Sequence, residues 1–186
     1  MMMKTILLIG NNPAEKLVAK RLQDQFKLIE ITSGDLTEEK AYADLPKDLT
    51  KMVSFVGPMD ADLAMESFFA AVRQQSIKLD QVVMISTAGI DNEVVGQLDY
   101  PGIADVTEYL REQRYAIKII DEEEIPYTIF RPVNVINEKL GTPFAINEGE
   151  KVPAGNVSHE TIADFVVQAI QTSKYQNQSI ALLETK

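Results

Sequence analysis

Cysteine is absent from this 186-residue sequence, and histidine occurs once, as His159. Without cysteine the chain has no thiol nucleophile and no disulfide, and a single histidine argues against zinc clusters and histidine-rich metal sites. We therefore predict no metal site. Functions that depend on thiols, disulfides or histidine-rich metal sites are therefore not expected.

Basic residues are also scarce, since 18 Lys and Arg stand against 28 Asp and Glu, giving a net charge of −10. Binding to nucleic acid or anionic lipid through a general electrostatic field needs a basic surface, so neither partner is expected. Any anionic ligand must be held locally. The leading segment MMMKTILLIG falls far short of the ~18 apolar residues of a membrane span and carries no signal-peptide cleavage pattern. The expectation is a cytoplasmic protein with no membrane partner.

Strand and helix signals alternate along the chain, whose length and 45% hydrophobic content predict a single domain over residues 1–186. Strands are predicted at KTILLIG, FKLIEIT, MVSFVG, QVVMISTAG, YTIFRP and SIALLE, and helices over about 13–25, 60–75, 104–122 and 158–171. This alternation indicates an α/β fold: a doubly wound, mostly parallel sheet with helices on both faces. The Gly-, Asn- and Pro-rich segment 133–156 is expected to be irregular. In such a sheet, ligands bind at the carboxyl ends of the strands, here the loops after Ile9, Val56, Ile85 and Phe130.

The chain carries five segments in a characteristic order: ILLIGNNPAEKLV, SGDLTEEKAYADLPKDLTKMVSFVG, VVMISTAG, EYLREQRYAIKIIDEEEIPYTIFRP and VSHETIADFVVQAI. Together they resemble atypical short-chain dehydrogenases/reductases of the NAD(P)H-binding, NmrA-like group, which includes flavin- and biliverdin-reductase-like proteins. The resemblance covers nearly the whole chain and implies a Rossmann-like fold that binds NAD or NADP at the strand ends. It implies cofactor-binding positions at Gly10, Asn11, Asn12, Phe55, Val56, Gly57, Arg131, Pro132 and Val133, and catalytic positions at Ser86, Thr87 and Tyr109.

The phosphate-binding loop departs from the family pattern Gly-x-x-Gly-x-x-Gly, because Pro13 and Lys16 replace the second and third glycines. Pro13 has no N–H to donate, and Glu15 adds negative charge in the first helical turn. Asn12 and Glu15 are also spaced as a capping pair, which would occupy the donors that a phosphate needs. Against this, Asn11 and Asn12 have amide groups to donate, and Lys16 offsets one phosphate charge. Two interpretations stay open: the loop binds the diphosphate of a dinucleotide, or it is an eroded loop that no longer does so.

A second departure lies between FKLIEI and TSGDLTEE, where about one strand–helix unit of the family is missing. If FKLIEI is the second strand, Glu30 lies ~20 residues after the first glycine, as an acid that binds ribose and favours NAD does. The alternative is that Glu30 is an outward-facing strand residue. The choice between NAD and NADP stays open.

The catalytic positions lack a cation. Short-chain dehydrogenases pair a tyrosine with a lysine four residues later, and the matching residues here are Tyr109 and Gln113. Without the lysine, Tyr109 is a poor acid or base near neutral pH, and packing is the alternative role. Turn chemistry is the alternative for Ser86 and Thr87, core packing for Phe55 and Val56, and a structural ion pair for Arg131. His159 is interpreted as a polar residue at a helix start.

Three functions are compatible with these residues. The first is a reductase that transfers hydride from NAD(P)H to a flavin, quinone or similar small acceptor. The second is a non-catalytic nucleotide-binding or redox-sensing module. The third is a Rossmann-shaped interaction protein without a cofactor, since fold does not fix function. The small-molecule substrate is unknown, and a homo-oligomer is among the alternatives.

Overall fold

The centre of the molecule is a sheet whose main strands match the predicted apolar runs. The structure is a computed structural model that describes residues 2–186. Its strands are β1 (Thr5–Ile9), β2 (Lys27–Ile31), β3 (Leu49–Ser54), β4 (Gln81–Ile85), β5 (Val94–Val95), β6 (Tyr127–Pro132), β7 (Asn134–Ile136), β8 (Thr142–Asn147), β9 (Val152–Pro153), β10 (Asn156–Ser158) and β11 (Gln178–Thr185). Its helices are α1 (Pro13–Leu22), α2 (Ala61–Gln74), α3 (Val106–Glu122) and α4 (His159–Gln171).

Six strands form a parallel core of the sheet, in the order β2-β1-β3-β4-β6-β11. The chain winds outward in both directions from β1, so the strand order reverses between β1 and β3. A crevice for ligands opens at such a reversal, outside the carboxyl ends of the strands. The predicted doubly wound, mostly parallel α/β fold is confirmed.

Helices cover both faces of the sheet because side chains alternate along each buried strand. Ile6 and Leu8 of β1 pack in one core cluster with apolar residues of α1 and α4. Leu7 and Ile9 of the same strand pack in a second cluster with α2 and α3. This double burial explains why the strands are continuous apolar runs rather than alternating ones.

The connection from β2 to β3, between Ile31 and Leu49, contains a short 3-10 helix (Glu39–Tyr42) and no further strand or longer helix. Asp35 shapes the turn before it by accepting hydrogen bonds from the N–H and hydroxyl of Thr37, at 2.9 and 2.6 Å. As a result, β2 is an edge strand of the sheet. The predicted loss of one strand–helix unit is confirmed.

The segment 133–156 is not irregular, and that prediction is wrong. It contains β7, β8, β9 and the first residue of β10, and β8 pairs antiparallel with β11 over six residues. Most β8 side chains are exposed, so the strand lacks the hydrophobic alternation by which a sequence signals it. Its pairing depends on a partner more than thirty residues away in the chain. The third strand also differs, because β3 ends at Ser54 and leaves Phe55 to Gly57 in the following loop.

Candidate functional site

A cavity of about 450 Å³ opens at the carboxyl ends of β1, β3, β4 and β6. Its volume lies in the range of small-molecule sites, and its position is the one that the strand order favours. Ten of the twelve predicted site residues line it: Asn11, Asn12, Phe55, Val56, Gly57, Ser86, Thr87, Tyr109, Pro132 and Val133. Residues from four separate strand ends therefore meet at one place.

Gly10 supports this cavity from behind and is not among its lining residues. Its φ is +100°, and a Cβ added there would lie 2.7 Å from the carbonyl carbon and oxygen of Phe55. A glycine thus lets the loop after β1 touch the loop after β3. Gly10 shapes the crevice through this backbone contact.

Arg131 also lies outside the cavity lining and makes the ion pair that was its alternative interpretation. Its guanidinium donates to the Glu93 carboxylate at 2.5 Å and to the Ser179 hydroxyl at 2.8 Å, and Arg131 is 1% exposed. Burial alone would raise the pKa of Glu93, but hydrogen bonds from backbone N–H groups and the charge of Arg131 hold that pKa below its usual value. Arg131 therefore ties β6 to the loop after β4, and this ion pair occupies its guanidinium.

Asn12 caps α1, since its side-chain oxygen accepts a hydrogen bond from the Ala14 N–H at 2.8 Å. The predicted reciprocal contact from Glu15 is not observed among the described residues: both Glu15 oxygens are buried without a hydrogen-bond partner. Glu15 lies under the helix near Glu30 and does not line the cavity. Burial, reinforced by the Glu30 carboxyl group, raises the pKa of Glu15 to about 7. The negative charge expected at the phosphate position is thus turned away from the crevice and partly neutralised.

Ser86, Thr87 and Tyr109 form the other side of the cavity. The Ser86 hydroxyl donates to the side-chain oxygen of Gln113 at 2.9 Å, so the residue that replaces the family lysine binds the strand-end serine. Burial raises the pKa of Tyr109 to about 12, although a hydrogen bond with Thr87 opposes the rise. Tyr109 therefore stays a neutral phenol over the physiological range and packs edge-on against Tyr100, with ring centroids 5.8 Å apart.

The segment 86–105 supplies lining residues that the sequence interpretation missed, namely Asp99, Tyr100, Pro101 and Ile103. The turn signal Tyr-Pro-Gly at 100–102 marks a loop there, but no local pattern shows that the loop folds back over the strand ends. The Asp99 N–H donates to the Asn134 side chain at 2.8 Å, which joins this loop to β7. A local sequence pattern does not predict long-range contacts of this kind.

His159 begins α4, as predicted, directly after Ser158, whose hydroxyl caps the helix by accepting from the Thr161 N–H at 3.1 Å. It also lines the cavity, together with Ile162 one turn later, and this role was missed. Burial lowers the pKa of His159, so its imidazole is neutral at pH 7.

Residues 2–186 lack two features that would indicate other kinds of site. Within that range, no group of three or more His, Asp or Glu side chains is arranged to hold a metal ion. Across the same residues, no helix has the length and apolar character that crossing a membrane requires.

A family model described as NAD(P)H-binding matches residues 14–173, well over half of the chain. No curated protein matches the chain. A short-chain dehydrogenase/reductase from Veillonella parvula, solved with NADP, superposes with a TM-score of 0.77 at 19% identity, covering 98% of this chain and 95% of that one. An oxidoreductase from Lactococcus lactis gives 0.72 at 16% identity, with 98% and 91% covered. A candidate NADH-flavin reductase from Streptococcus pneumoniae gives 0.65 at 16% identity, with 99% and 100% covered.

At these identities the solved structures establish a shared fold, and the family assignment rests on the matched model. The predicted resemblance and the predicted coenzyme class, NAD or NADP, are confirmed at the level of the family. The chain belongs to the NAD(P)H-binding family and has the Rossmann-like fold of the short-chain dehydrogenases/reductases.

Proposed function

We propose that this protein is an NAD(P)H-dependent reductase that transfers hydride to a flavin, a quinone or a similar planar acceptor. The observation that carries the proposal is the single cavity in which the loops after β1 and β3 face the serine strand end and α3. If the loops after β1 and β3 bind the coenzyme, its acceptor lies within reach of the serine strand end and α3. The bound coenzyme supplies the hydride, and the protein supplies binding and orientation.

The residues of the first two loops suit a dinucleotide. The side-chain amide nitrogens of Asn11 and Asn12 can donate hydrogen bonds to phosphate oxygens. Gly57 lines the cavity with nothing within 4 Å of the place where a Cβ would stand, so a ligand can approach its backbone. Val133, at the end of β6, gives an apolar surface for the nicotinamide ring. These features compensate in part for the two missing glycines.

The cavity lacks the tyrosine–lysine pair that donates a proton to the product, which favours acceptors that need no acid from the protein. Tyr109 has a pKa of about 12 and no lysine beside it, and Gln113 occupies the Ser86 hydroxyl. Carbonyl reduction in short-chain dehydrogenases relies on that tyrosine and lysine. A reduced flavin or quinone instead takes its proton from water, so hydride transfer to these rings does not require the lost pair.

The test is the oxidation of NADH and NADPH by purified protein, followed by absorbance, with one panel of flavins and quinones and one of aldehydes and ketones. The proposal predicts turnover with the first panel and none with the second. Absence of coenzyme oxidation with every flavin and quinone would contradict it, as would turnover confined to carbonyl compounds.

A non-catalytic nucleotide-binding module is the second candidate. It is favoured by the Asn12 cap, which occupies a helix N–H, and by the Ser86–Gln113 hydrogen bond. This alternative predicts that a dinucleotide binds with no turnover in either panel. Calorimetry together with the acceptor assay separates the two functions.

A further inference from the structure

The wall of the cavity carries no lysine or arginine side chain. Among its lining residues the ionisable groups are Asp99, Tyr100, Tyr109 and His159, and no lysine or arginine is present. Burial keeps His159 neutral at pH 7, and both tyrosines have raised pKa values. The fixed charge of the wall is therefore negative, from Asp99.

The part of the wall beyond the coenzyme loops is mainly apolar. Pro101, Ile103, Val135 and Ile162 line it, and the Tyr100 hydroxyl is already donating to the Ala88 carbonyl oxygen at 3.0 Å. Such a surface suits the face of a flat ring, because it removes apolar area from water and asks for few polar partners.

A dinucleotide in this cavity adds the negative charge of its diphosphate, which no lining cation neutralises. A second anion in the same cavity would add to the charge of that diphosphate and of the exposed Asp99 carboxylate. Like charges repel, and the repulsion grows where protein displaces the water around them. Charge on the acceptor, rather than ring shape alone, is therefore what this wall discriminates.

We propose that the cavity accepts uncharged planar acceptors and rejects anionic analogues with the same ring. This inference rests on the proposed reductase function and narrows its substrate class. Riboflavin is accepted over its 5′-phosphate, and a neutral 1,4-naphthoquinone over its 2-sulfonate.

The test compares kcat/KM within these two matched pairs at low ionic strength. The neutral member is expected to be favoured about tenfold or more, the size of one unfavourable charge contact in a partly buried site. Val135→Lys places a cation at the cavity wall, and Asp99→Asn removes the wall's carboxylate; both are expected to narrow the preference severalfold. Val95→Lys is the control, because Val95 is 60% exposed and lies outside the cavity lining. It adds the same charge and leaves the preference unchanged.

Equal kcat/KM within both pairs would overturn the proposed preference for uncharged acceptors, here called the charge rule, and would leave the reductase function intact. An equal change of the preference in Val135→Lys and Val95→Lys would have the same meaning. Binding of riboflavin and its phosphate to the coenzyme-saturated protein, measured by fluorescence quenching, separates the two claims. Selective binding of riboflavin without turnover supports the charge rule and contradicts the reductase. Neither binding nor turnover with any neutral acceptor overturns both.

Discussion

Glu15 adds a carboxyl group to the first turn of the helix that follows the phosphate-binding loop, and its surroundings decide what that group does there. It is fully buried in the first turn of α1, with Glu30 of β2 nearby. A buried carboxyl group is more easily accommodated when protonated, which is why its pKa rises to about 7. The sequence showed a carboxylate next to the crevice. Only the packing of α1 on β2 shows that it is directed inward.

Glu15 should make the protein less stable as pH rises. Its folded pKa of about 7 exceeds the ordinary value of 4.5, so the folded state holds more protons between these limits and stability falls as pH rises through that window. Glu15→Gln removes the titration. Its stability relative to wild type should improve by about 2 kcal/mol between pH 5 and pH 8.

Urea unfolding at the two pH values measures this change. Glu150→Gln is the control, because Glu150 is exposed and its variant should track wild type at both. A constant difference between Glu15→Gln and wild type would show that Glu15 is ionised throughout.

Tyr109 gives a prediction about the pH profile of the reaction. With a pKa of about 12, less than about 1% of the phenol ionises below pH 10. For a neutral acceptor, kcat/KM should therefore be flat from pH 8 to pH 10. A limb in that interval that disappears in Tyr109→Phe would instead identify Tyr109 as an acid or base.

At the scale of elements, the loop from Ser86 to Asp105 is what turns a strand end into a cavity. Glu93 accepts hydrogen bonds from the N–H groups of Gly89 and Asp91 within the loop and pairs with Arg131 of β6. The loop is further fixed where β5 pairs with β9. The buried ion pair is therefore a clamp between the loop and the sheet.

Arg131→Met should destabilise the fold by about 3–5 kcal/mol, because it leaves the Glu93 carboxylate buried without its counter-charge. The double variant Arg131→Met with Glu93→Gln should recover part of the loss, since no ionised group is then stranded. Denaturant unfolding of the two variants measures the difference. A loss of coenzyme affinity with little loss of stability in Arg131→Met would return Arg131 to the coenzyme site.

The elements were predictable to the degree that they are buried on both faces. β1, β4 and β6 are mainly apolar and almost entirely buried, and α1 and α4 carry their own capping residues, Asn12 and Ser158. β8 was missed because its side chains are mostly exposed, and the cavity role of Tyr100 because a contact far along the chain positions it. Local pattern specifies elements, whereas loops are specified by tertiary contacts.

At the scale of the whole molecule, the missing strand–helix unit leaves β2 at the sheet edge, with Glu30 exposed on it. The alternation of elements made the fold predictable, and the family resemblance supplied ten of the residues that line the cavity. The net charge is −10, so the coenzyme must be held by local amide groups and not by a basic field.

Calorimetric titration with NAD+, NADH, NADP+ and NADPH, with Asn11→Asp as the site variant and Asn147→Asp as the control, tests the central claim most directly. Asn11 is exposed in the cavity loop, and Asn147 is exposed at the end of β8. We predict one site with a Kd of about 1 μM to 1 mM for at least one reduced form, weakened about tenfold by Asn11→Asp alone. No heat and no thermal shift with any of the four dinucleotides, or equal weakening by both variants, would contradict a coenzyme site at these strand ends.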